Sequence, residues 1–198
     1  MLTRWRPLYE KKSIPFGKAS LKLGLTPNFW TLFSLLSAVL SGAALAFGFY
    51  GFGLLALLVM NITDMLDGAT ARAGNICTDF GTVLDHTCDR YGEFCLYAGL
   101  MLGGAISPAL GLFTASGVVM ASYVRAKAES AGKLKSCNVG FAGRQEKLIL
   151  TILGLILFWL NFSLAGQVCV FLAGLISHIT AVQRLIYARD QILNPAAK

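Results

Sequence analysis

Aspartates are concentrated in one short stretch of this 198-residue chain, because five of the six fall between positions 64 and 89. They are Asp64, Asp67, Asp79, Asp85 and Asp89. Residues three or four apart share one face of a helix, so Asp64 pairs with Asp67 and Asp85 pairs with Asp89. Two neighbouring helices that each present one such pair can direct four carboxylates at a common centre. Asp79 belongs to neither pair, and we predict that it is a solvated loop or capping carboxylate.

Four carboxylates that converge cannot all stay ionised unless a cation supplies positive charge. No pair of His or Cys residues accompanies these aspartates at the spacing of metal ligands. The donors are therefore hard oxygen atoms, which favour Mg²⁺, Mn²⁺ or Ca²⁺ over Zn²⁺. The residues alone leave two other interpretations open, namely the ion or proton pathway of a transporter and, more remotely, helix capping.

Small and basic residues accompany the two aspartate pairs. Gly68 and Ala71 follow the first pair, and Gly81 precedes the second. Small residues allow another helix, or the phosphates of a ligand, to approach the backbone closely. Arg72 closes the same segment, where its guanidinium can bind a phosphate or anchor the helix at the membrane interface.

The elements that carry these residues have the composition of membrane helices. The chain is 56% apolar and only 14% charged, which is about half the usual charged fraction. A spanning helix needs about 20 apolar residues, and the apolar runs are continuous, which favours helices over a barrel. We predict an all-α integral membrane protein with six transmembrane helices at 27–47, 53–71, 81–102, 106–126, 148–160 and 164–183. A carboxylate inside a span costs about 2.5 to 3.5 kcal/mol, so the retained group indicates a function.

The placement of Lys and Arg predicts the orientation. With a cytoplasmic N-terminus, all 17 basic residues lie on or near the cytoplasmic side, whereas the loops near positions 51, 104 and 161 carry none. We therefore expect a multi-pass protein of the cell membrane, with its N-terminus and acidic cluster on the cytoplasmic side. The net charge of +7 suits anionic headgroups or substrates. Nucleic acid is not an expected partner, because the basic residues form no separate soluble module.

The chain is expected to be one domain over residues 1–198. Residues 1–21 interleave basic and apolar side chains, which predicts an amphipathic juxtamembrane helix at the membrane interface. Residues 22–190 would form the six-helix bundle and residues 191–198 a C-terminal tail. The five cysteines include no CxxC pair and are expected to be small packing residues.

Eight positions around the aspartates have a fixed spacing: Asp64, Asp67, Gly68, Ala71, Arg72, Gly81, Asp85 and Asp89. This spacing matches the motif of the CDP-alcohol phosphotransferase family, which the chain resembles over essentially its whole length. The resemblance implies an amphipathic N-terminal helix, six transmembrane helices and a homodimer. It also implies transfer of a phosphatidyl-type group from a CDP-lipid, CDP-diacylglycerol or CDP-archaeol, to an alcohol, with release of CMP in phospholipid biosynthesis.

The same resemblance implies roles for individual residues. Asp64, Asp67, Asp85 and Asp89 would hold the metal, Mg²⁺ or Mn²⁺, and Asp89 would also be the general base. The residues implied in binding the CDP donor are Pro27, Asn28, Gly68, Ala71, Arg72, Thr78 and Gly81.

A second polar set is expected at the cytoplasmic ends of the last three spans, and it consists of Ser122, Arg125, Arg144 and Arg184. Ser122 and Arg125 share a helix face, and the arginines can hold a phosphate by charge-assisted hydrogen bonds. Positive-inside anchoring explains each of them singly. The runs SYVRAKAE and VGFAGRQEK resemble the family branch that makes phosphatidylinositol phosphate or archaetidylinositol phosphate, with Arg125 where Lys is common. That resemblance implies an inositol phosphate as the phosphorylated polyol acceptor.

Three alternatives remain at this point. Within the family, they are a glycerol 3-phosphate acceptor, as in a phosphatidylglycerophosphate synthase, and a CDP-inositol donor, as in a di-inositol phosphate synthase. From another class, a cation or proton transporter needs acidic residues along a path across the bilayer. The first, fourth, fifth and sixth predicted spans contain none in their interiors.

Overall fold

The computed structural model describes residues 6–193 of the chain, with side chains from residue 12 onward. This part is all α-helical, and its helices are α1 Arg6–Lys22, α2 Pro27–Ala46, α3 Tyr50–Gly74, α4 Asp79–Leu102, α5 Pro108–Ser130, α6 Arg144–Trp159 and α7 Ser163–Leu193. The predicted all-α class is confirmed. The first five residues of the predicted 1–21 helix, and residues 194–198 of the predicted tail, lie outside the described residues.

Four of these helices are long and apolar enough to cross a membrane, and they are α2, α3, α5 and α7. The other two predicted spans correspond to α4 and α6, which fall short for different reasons. The helix α4 carries Asp85, Asp89, Arg90 and Glu93 in its middle, and α6 has only 16 residues. The structure thus supports a membrane protein with four helices of spanning length and apolarity.

Two helix ends differ from the prediction. The last helix continues past the predicted end at 183 to Leu193, because no Gly or Pro interrupts the sequence between Leu175 and Leu193. Arg184 therefore lies inside α7, and it is buried. The helix α6 starts at Arg144, earlier than the predicted 148. A Glu146 Oε2 that accepts from the Gly143 N–H at 2.9 Å stabilises this start.

The helices form two compact units, one made of α1 to α4 and the other of α5 to α7. In the first unit α2 packs on both α3 and α4. A Cβ atom added at Gly99 would overlap the backbone of Gly42, so the contact between α2 and α4 depends on glycine at this position. Small residues allow such close approach of membrane helices.

The N-terminal helix α1 packs on α3 through a face of small residues. A Cβ atom added at Gly17 would overlap the carbonyl oxygen of Ala69. Trp30 of α2 donates its Nε1–H to Ser20 Oγ of α1 at 2.6 Å. The large side chain of Phe16 is 63% exposed on another face. The helix is therefore held to the same helices that carry the first aspartate pair and the predicted donor residues.

In the second unit, α7 is the common partner of α5 and α6. Thr114 Oγ1 of α5 donates to the Val170 carbonyl of α7 at 3.2 Å. The His178 imidazole Nε2 lies 3.0 Å from the Phe113 carbonyl oxygen. These buried polar contacts, together with close glycine packing, hold α5 against α7.

Candidate functional site

Three carboxylates converge where α3 and α4 meet. Asp64 and Asp67 lie one turn apart on α3, and Asp85 lies on α4. Each of them offers one oxygen atom, and these three oxygen atoms lie within 4.8 Å of one another. Asp67 is buried, and the other two are partly buried. The structure thus brings together three of the four predicted metal residues.

This donor set fits Mg²⁺ or Mn²⁺. Three hard oxygen donors that approach from two helices leave other coordination positions for water and for substrate phosphates, which is how proteins commonly hold Mg²⁺. Three negative charges at this separation repel one another, and a divalent cation relieves that repulsion. Among the described residues, no His or Cys belongs to the group that could hold a metal.

Asp67 has a hydrogen-bond partner that the sequence analysis missed. Thr31 of α2 donates its hydroxyl hydrogen to Asp67 Oδ2 at 2.8 Å, and both residues are buried. The two residues are 36 positions apart, so no local pattern connects them. The available signal was that Thr31 lies one helical turn after Pro27, a residue already implicated in the site.

Asp89, the fourth predicted metal residue and the predicted base, lies outside the convergent group. It is 5% exposed, and its Oδ2 lies 3.6 Å from Arg90 Nη2. Arg90 also pairs with Glu93, with Nη1 2.7 Å from Oε2. The guanidinium therefore lies between two carboxylates on the same helix and compensates part of their charge.

The predicted donor residues on α3 lie together. The guanidinium of Arg72 lies over Gly68, because a Cβ atom added at Gly68 would be 2.9 Å from Arg72 Nη1. Arg72 is exposed, and Ala71 is partly buried. A larger residue at position 68 would displace the guanidinium, so the position of the Arg72 side chain depends on glycine at position 68.

The starts of α2 and α4 bring the other predicted donor residues together. Thr78 caps α4 by accepting the Gly81 N–H at 3.0 Å, and Pro27 is the first residue of α2. A Cβ atom added at Gly81 would be 3.9 Å from Asn28 Oδ1. Free N–H groups at helix N-termini favour anions, so two neighbouring N-termini suit a phosphate-rich ligand. Asp79, exposed in the first turn of α4, has the solvated position predicted for it.

In the second unit, Arg125 is held by an acidic neighbour. Its Nε donates to Glu129 Oε1 at 3.0 Å, one turn along α5. The same Glu129 oxygen accepts the backbone N–H of Cys137 at 2.9 Å. Glu129 therefore ties Arg125 to the loop between α5 and α6. Ser122, three residues before Arg125, is partly buried.

Arg184 is held by carbonyl groups. It is 6% exposed, its Nε donates to the Val139 carbonyl at 3.0 Å, and its Nη1 donates to the Ala121 carbonyl at 2.6 Å. The first acceptor belongs to the α5–α6 loop and the second to α5. Arg184 thus joins α7 to both segments, a structural role that the sequence analysis did not foresee.

The α5–α6 loop has further contacts with α7, close to the start of α6. Gln183 Oε1 accepts the Phe141 N–H at 2.6 Å, and Thr180 Oγ1 lies 3.3 Å from the Ala142 carbonyl oxygen. Arg144 is the first residue of α6 and follows directly. The α5–α6 loop is therefore in contact with Arg184 directly and is connected to Arg125 through Glu129. The segment before Arg144 packs on α7, the helix that carries Arg184.

All five cysteines are free thiols. Cys137 lies in the α5–α6 loop and is fully buried. Burial raises the pKa of its thiol, although the positive charge of Arg184 partly opposes this shift. The predicted packing role fits this residue, because a neutral buried thiol behaves as a small apolar side chain.

A family model described as CDP-alcohol phosphatidyltransferase matches residues 24–183 of the chain. Among relatives, the phosphatidylinositol phosphate synthase of Mycolicibacterium smegmatis is 38% identical over 156 residues, which cover 75% of this chain and 69% of that protein. The archaetidylinositol phosphate synthase of Methanothermobacter thermautotrophicus is 32% identical over 192 residues, which cover 97% of this chain and 96% of that protein.

Solved structures of one relative are also similar to the chain. The crystal structure of Mycobacterium tuberculosis phosphatidylinositol phosphate synthase with CDP-DAG bound gives a TM-score of 0.79 at 30% identity, and the match covers 89% of this chain and 92% of that chain. The structure of the same enzyme in complex with manganese and citrate gives a TM-score of 0.80, also at 30% identity, with coverages of 89% and 88%.

Proposed function

Because the chain belongs to the CDP-alcohol phosphatidyltransferase family, we propose that it transfers a phosphatidyl-type group from a CDP-lipid. The acceptor is a hydroxyl of an inositol phosphate, and CMP is released. It is an enzyme of phospholipid biosynthesis, similar to phosphatidylinositol phosphate synthases. The observation that carries the proposal is the group of three carboxylate oxygens within 4.8 Å of one another on α3 and α4.

Asp64, Asp67 and Asp85 would hold a divalent cation, Mg²⁺ or Mn²⁺, and Asp89 would lie next to it as a further ligand. When bound, the cation supplies positive charge to the diphosphate of the donor and to the leaving CMP. Manganese is present in a solved structure of a relative, which supports this assignment. Asp64 and Asp67 on α3 and Asp85 on α4 would fix the positions of three of the oxygen ligands of the cation.

The CDP part of the donor would lie against the starts of α2 and α4 and the end of α3. Arg72 would donate to the diphosphate. Gly68, Ala71 and Gly81 would leave room for the nucleotide, and Pro27, Asn28 and Thr78 would border it. The binding of CDP-DAG by a relative supports this arrangement. Comparison of CDP-diacylglycerol, whose tails are ester-linked, with CDP-archaeol, whose tails are ether-linked, identifies the lipid of the donor.

Asp89 would act as the general base. An acceptor hydroxyl gives its proton to the Asp89 carboxylate while its oxygen attacks the β-phosphate of the donor, and the bond from that phosphate to CMP breaks. Arg90 Nη2 lies 3.6 Å from Asp89 Oδ2 and contributes positive charge beside the carboxylate. The charge of a bound cation would limit the strength of this carboxylate as a base.

Ser122, Arg125, Arg144 and Arg184 would hold the phosphate of the acceptor. Glu129 already fixes the position of Arg125, and the α5–α6 loop fixes that of Arg184. Binding of the substrate would therefore cost little conformational entropy at these two side chains. The names of the relatives support inositol phosphate as the acceptor. Glycerol 3-phosphate, or a CDP-inositol donor, is the alternative within the family.

The proposed topology has six transmembrane helices, an interfacial α1, and a cytoplasmic N-terminus and active site in the cell membrane. The ion pairs of Arg90 with Asp89 and Glu93 lower the cost of placing α4 in a bilayer. The helix α6 is about 24 Å long at 1.5 Å per residue, which local thinning of the bilayer can accommodate. We further propose that residues 1–198 act as one catalytic domain and that two chains form a homodimer.

An acceptor screen with the purified full chain tests the proposal. Release of CMP is measured with CDP-diacylglycerol or CDP-archaeol, in the presence of Mn²⁺, with inositol phosphate or with glycerol 3-phosphate. We expect CMP release that depends on both the metal and inositol phosphate. Asp85→Asn should abolish it, whereas Asp190→Asn, which changes an exposed aspartate, should not.

Each part of the proposal has its own contrary result. CMP release with glycerol 3-phosphate alone would refute the choice of acceptor but leave the reaction class intact. Metal-driven ion flux into sealed vesicles, with no CMP release from any donor, would favour the transporter instead.

A further inference from the structure

A hydroxyl group of α2 connects two parts of the candidate site. Thr31 is 3% exposed, and its Oγ1 lies 2.8 Å from Asp67 Oδ2 and 3.2 Å from the Pro27 carbonyl oxygen of its own helix. A hydroxyl group has only one hydrogen to donate. The shorter distance and the negative charge of the acceptor both favour donation to Asp67.

We propose that Thr31 is a positioning residue of the metal centre, whose hydroxyl group orients the Asp67 carboxylate and thereby raises the affinity of the site for a divalent cation. The inference rests on the metal role proposed above for Asp67. A carboxylate accepts up to about four hydrogen bonds or metal contacts on its two oxygens. Asp67 can therefore accept from Thr31 and bind a cation at the same time.

Burial is the reason that this contact matters. An exposed carboxylate that loses a protein donor gains a water molecule instead. Thr31 and Asp67 are both nearly inaccessible, so loss of the hydroxyl leaves a polar atom without a replacement partner. The carboxylate keeps its hydrogen bond with the backbone N–H of Gly68 but loses the second donor that orients it toward Asp64 and Asp85. Loss of such an outer partner typically weakens metal binding about 10- to 100-fold.

The test uses the full chain in detergent, with Mn²⁺ as the probe. Thr31→Val keeps the shape of the side chain and removes the hydroxyl, whereas Thr31→Ser keeps the hydroxyl. Thr70→Val is the matched control, because Thr70 is also buried but donates its hydroxyl hydrogen to the Leu66 carbonyl of its own helix, at 2.7 Å. Binding is measured from the electron paramagnetic resonance signal of free Mn²⁺.

We expect Thr31→Val to weaken Mn²⁺ binding about 10-fold or more, and Thr31→Ser and Thr70→Val to bind like the unmodified chain. The catalytic readout should agree. Thr31→Val should need more Mn²⁺ for half-maximal CMP release, and it should recover most of its kcat at saturating Mn²⁺. A defect that is only structural would lower kcat at every Mn²⁺ concentration.

Unchanged Mn²⁺ affinity in Thr31→Val would overturn the inference. Where that variant does not fold, Thr31→Ala, which fills less space, carries the same expectation and the same contrary result. If instead the unmodified chain shows no saturable Mn²⁺ binding, or Asp67→Asn binds as well as it does, the proposed metal centre itself is refuted. The two failures are therefore distinguishable.

Discussion

Replacement of Arg184 by Met should destabilise the chain more than any loss of surface charge. The guanidinium is 6% exposed and donates to two carbonyl groups, those of Val139 and Ala121. Hydrogen bonds from a charged group are worth about 1.5 to 3 kcal/mol each. Methionine fills similar space but donates to neither carbonyl. We therefore expect a loss of about 3 to 6 kcal/mol in the free energy of unfolding, a large share of the usual 5 to 15 kcal/mol.

The assay is unfolding of the full chain in mixed micelles with increasing SDS, followed by circular dichroism. Arg189→Met is the matched control on the same helix, because the Arg189 side chain is 71% exposed and its contact with Asp190 is 3.7 Å long. That change should cost less than about 1 kcal/mol. Trypsin provides a second readout, since the α5–α6 loop exposes Lys133 and Lys135 and should be cut faster in Arg184→Met. Equal stability of the two variants would refute the assigned role of Arg184 in holding the loop.

Three further predictions concern the first unit. Asp89→Asn should abolish CMP release while retaining binding of the CDP donor, measured by titration with a non-reactive CDP-lipid; turnover near that of the unmodified chain would exclude the base role. Mn²⁺ at 100 times its dissociation constant should raise the free energy of unfolding by about 2.7 kcal/mol, and this gain should vanish in Asp85→Asn or on chelation with EDTA. Gly42→Leu should cost at least about 1 to 3 kcal/mol because its side chain has no room against α4, whereas Ala43→Leu, at the exposed neighbouring position, should cost little; equal unfolding curves for these two variants would contradict the packing argument.

Helical spacing predicted that four aspartates would meet, and three of them do, whereas Asp89 lies outside the group. Asp64, Asp67 and Asp85 lie at positions where two helices present their carboxylates to one centre, and the structure has their oxygens within 4.8 Å. This part is predictable because helix periodicity is a local property of the sequence. The same holds for the all-α class.

The partners of these residues could not be predicted in the same way. Thr31 meets Asp67 across 36 positions, and Arg184 meets Ala121 across 63. Such pairs depend on how helices pack, which no local pattern encodes. The length of α7 beyond the predicted span at 164–183 could not be predicted for a related reason, since it depends on the partners of Arg184. Arg184 instead satisfies its hydrogen bonds inside the unit, which allows the helix to continue past it.

The geometry of the candidate metal centre depends on a helix, α2, that carries no acidic residue. The helix α2 reaches α3 through the hydrogen bond of Thr31 to Asp67, and it reaches α4 through the close approach of Gly42 and Gly99. A shift of either helix along α2 would separate Asp85 from its two partners on α3. Close packing resists such shifts, because packed interiors have few voids into which a helix could move. In the proposed metal centre the aspartates would therefore determine which ion is accepted, while α2 would hold α3 and α4 at the separation that metal binding requires.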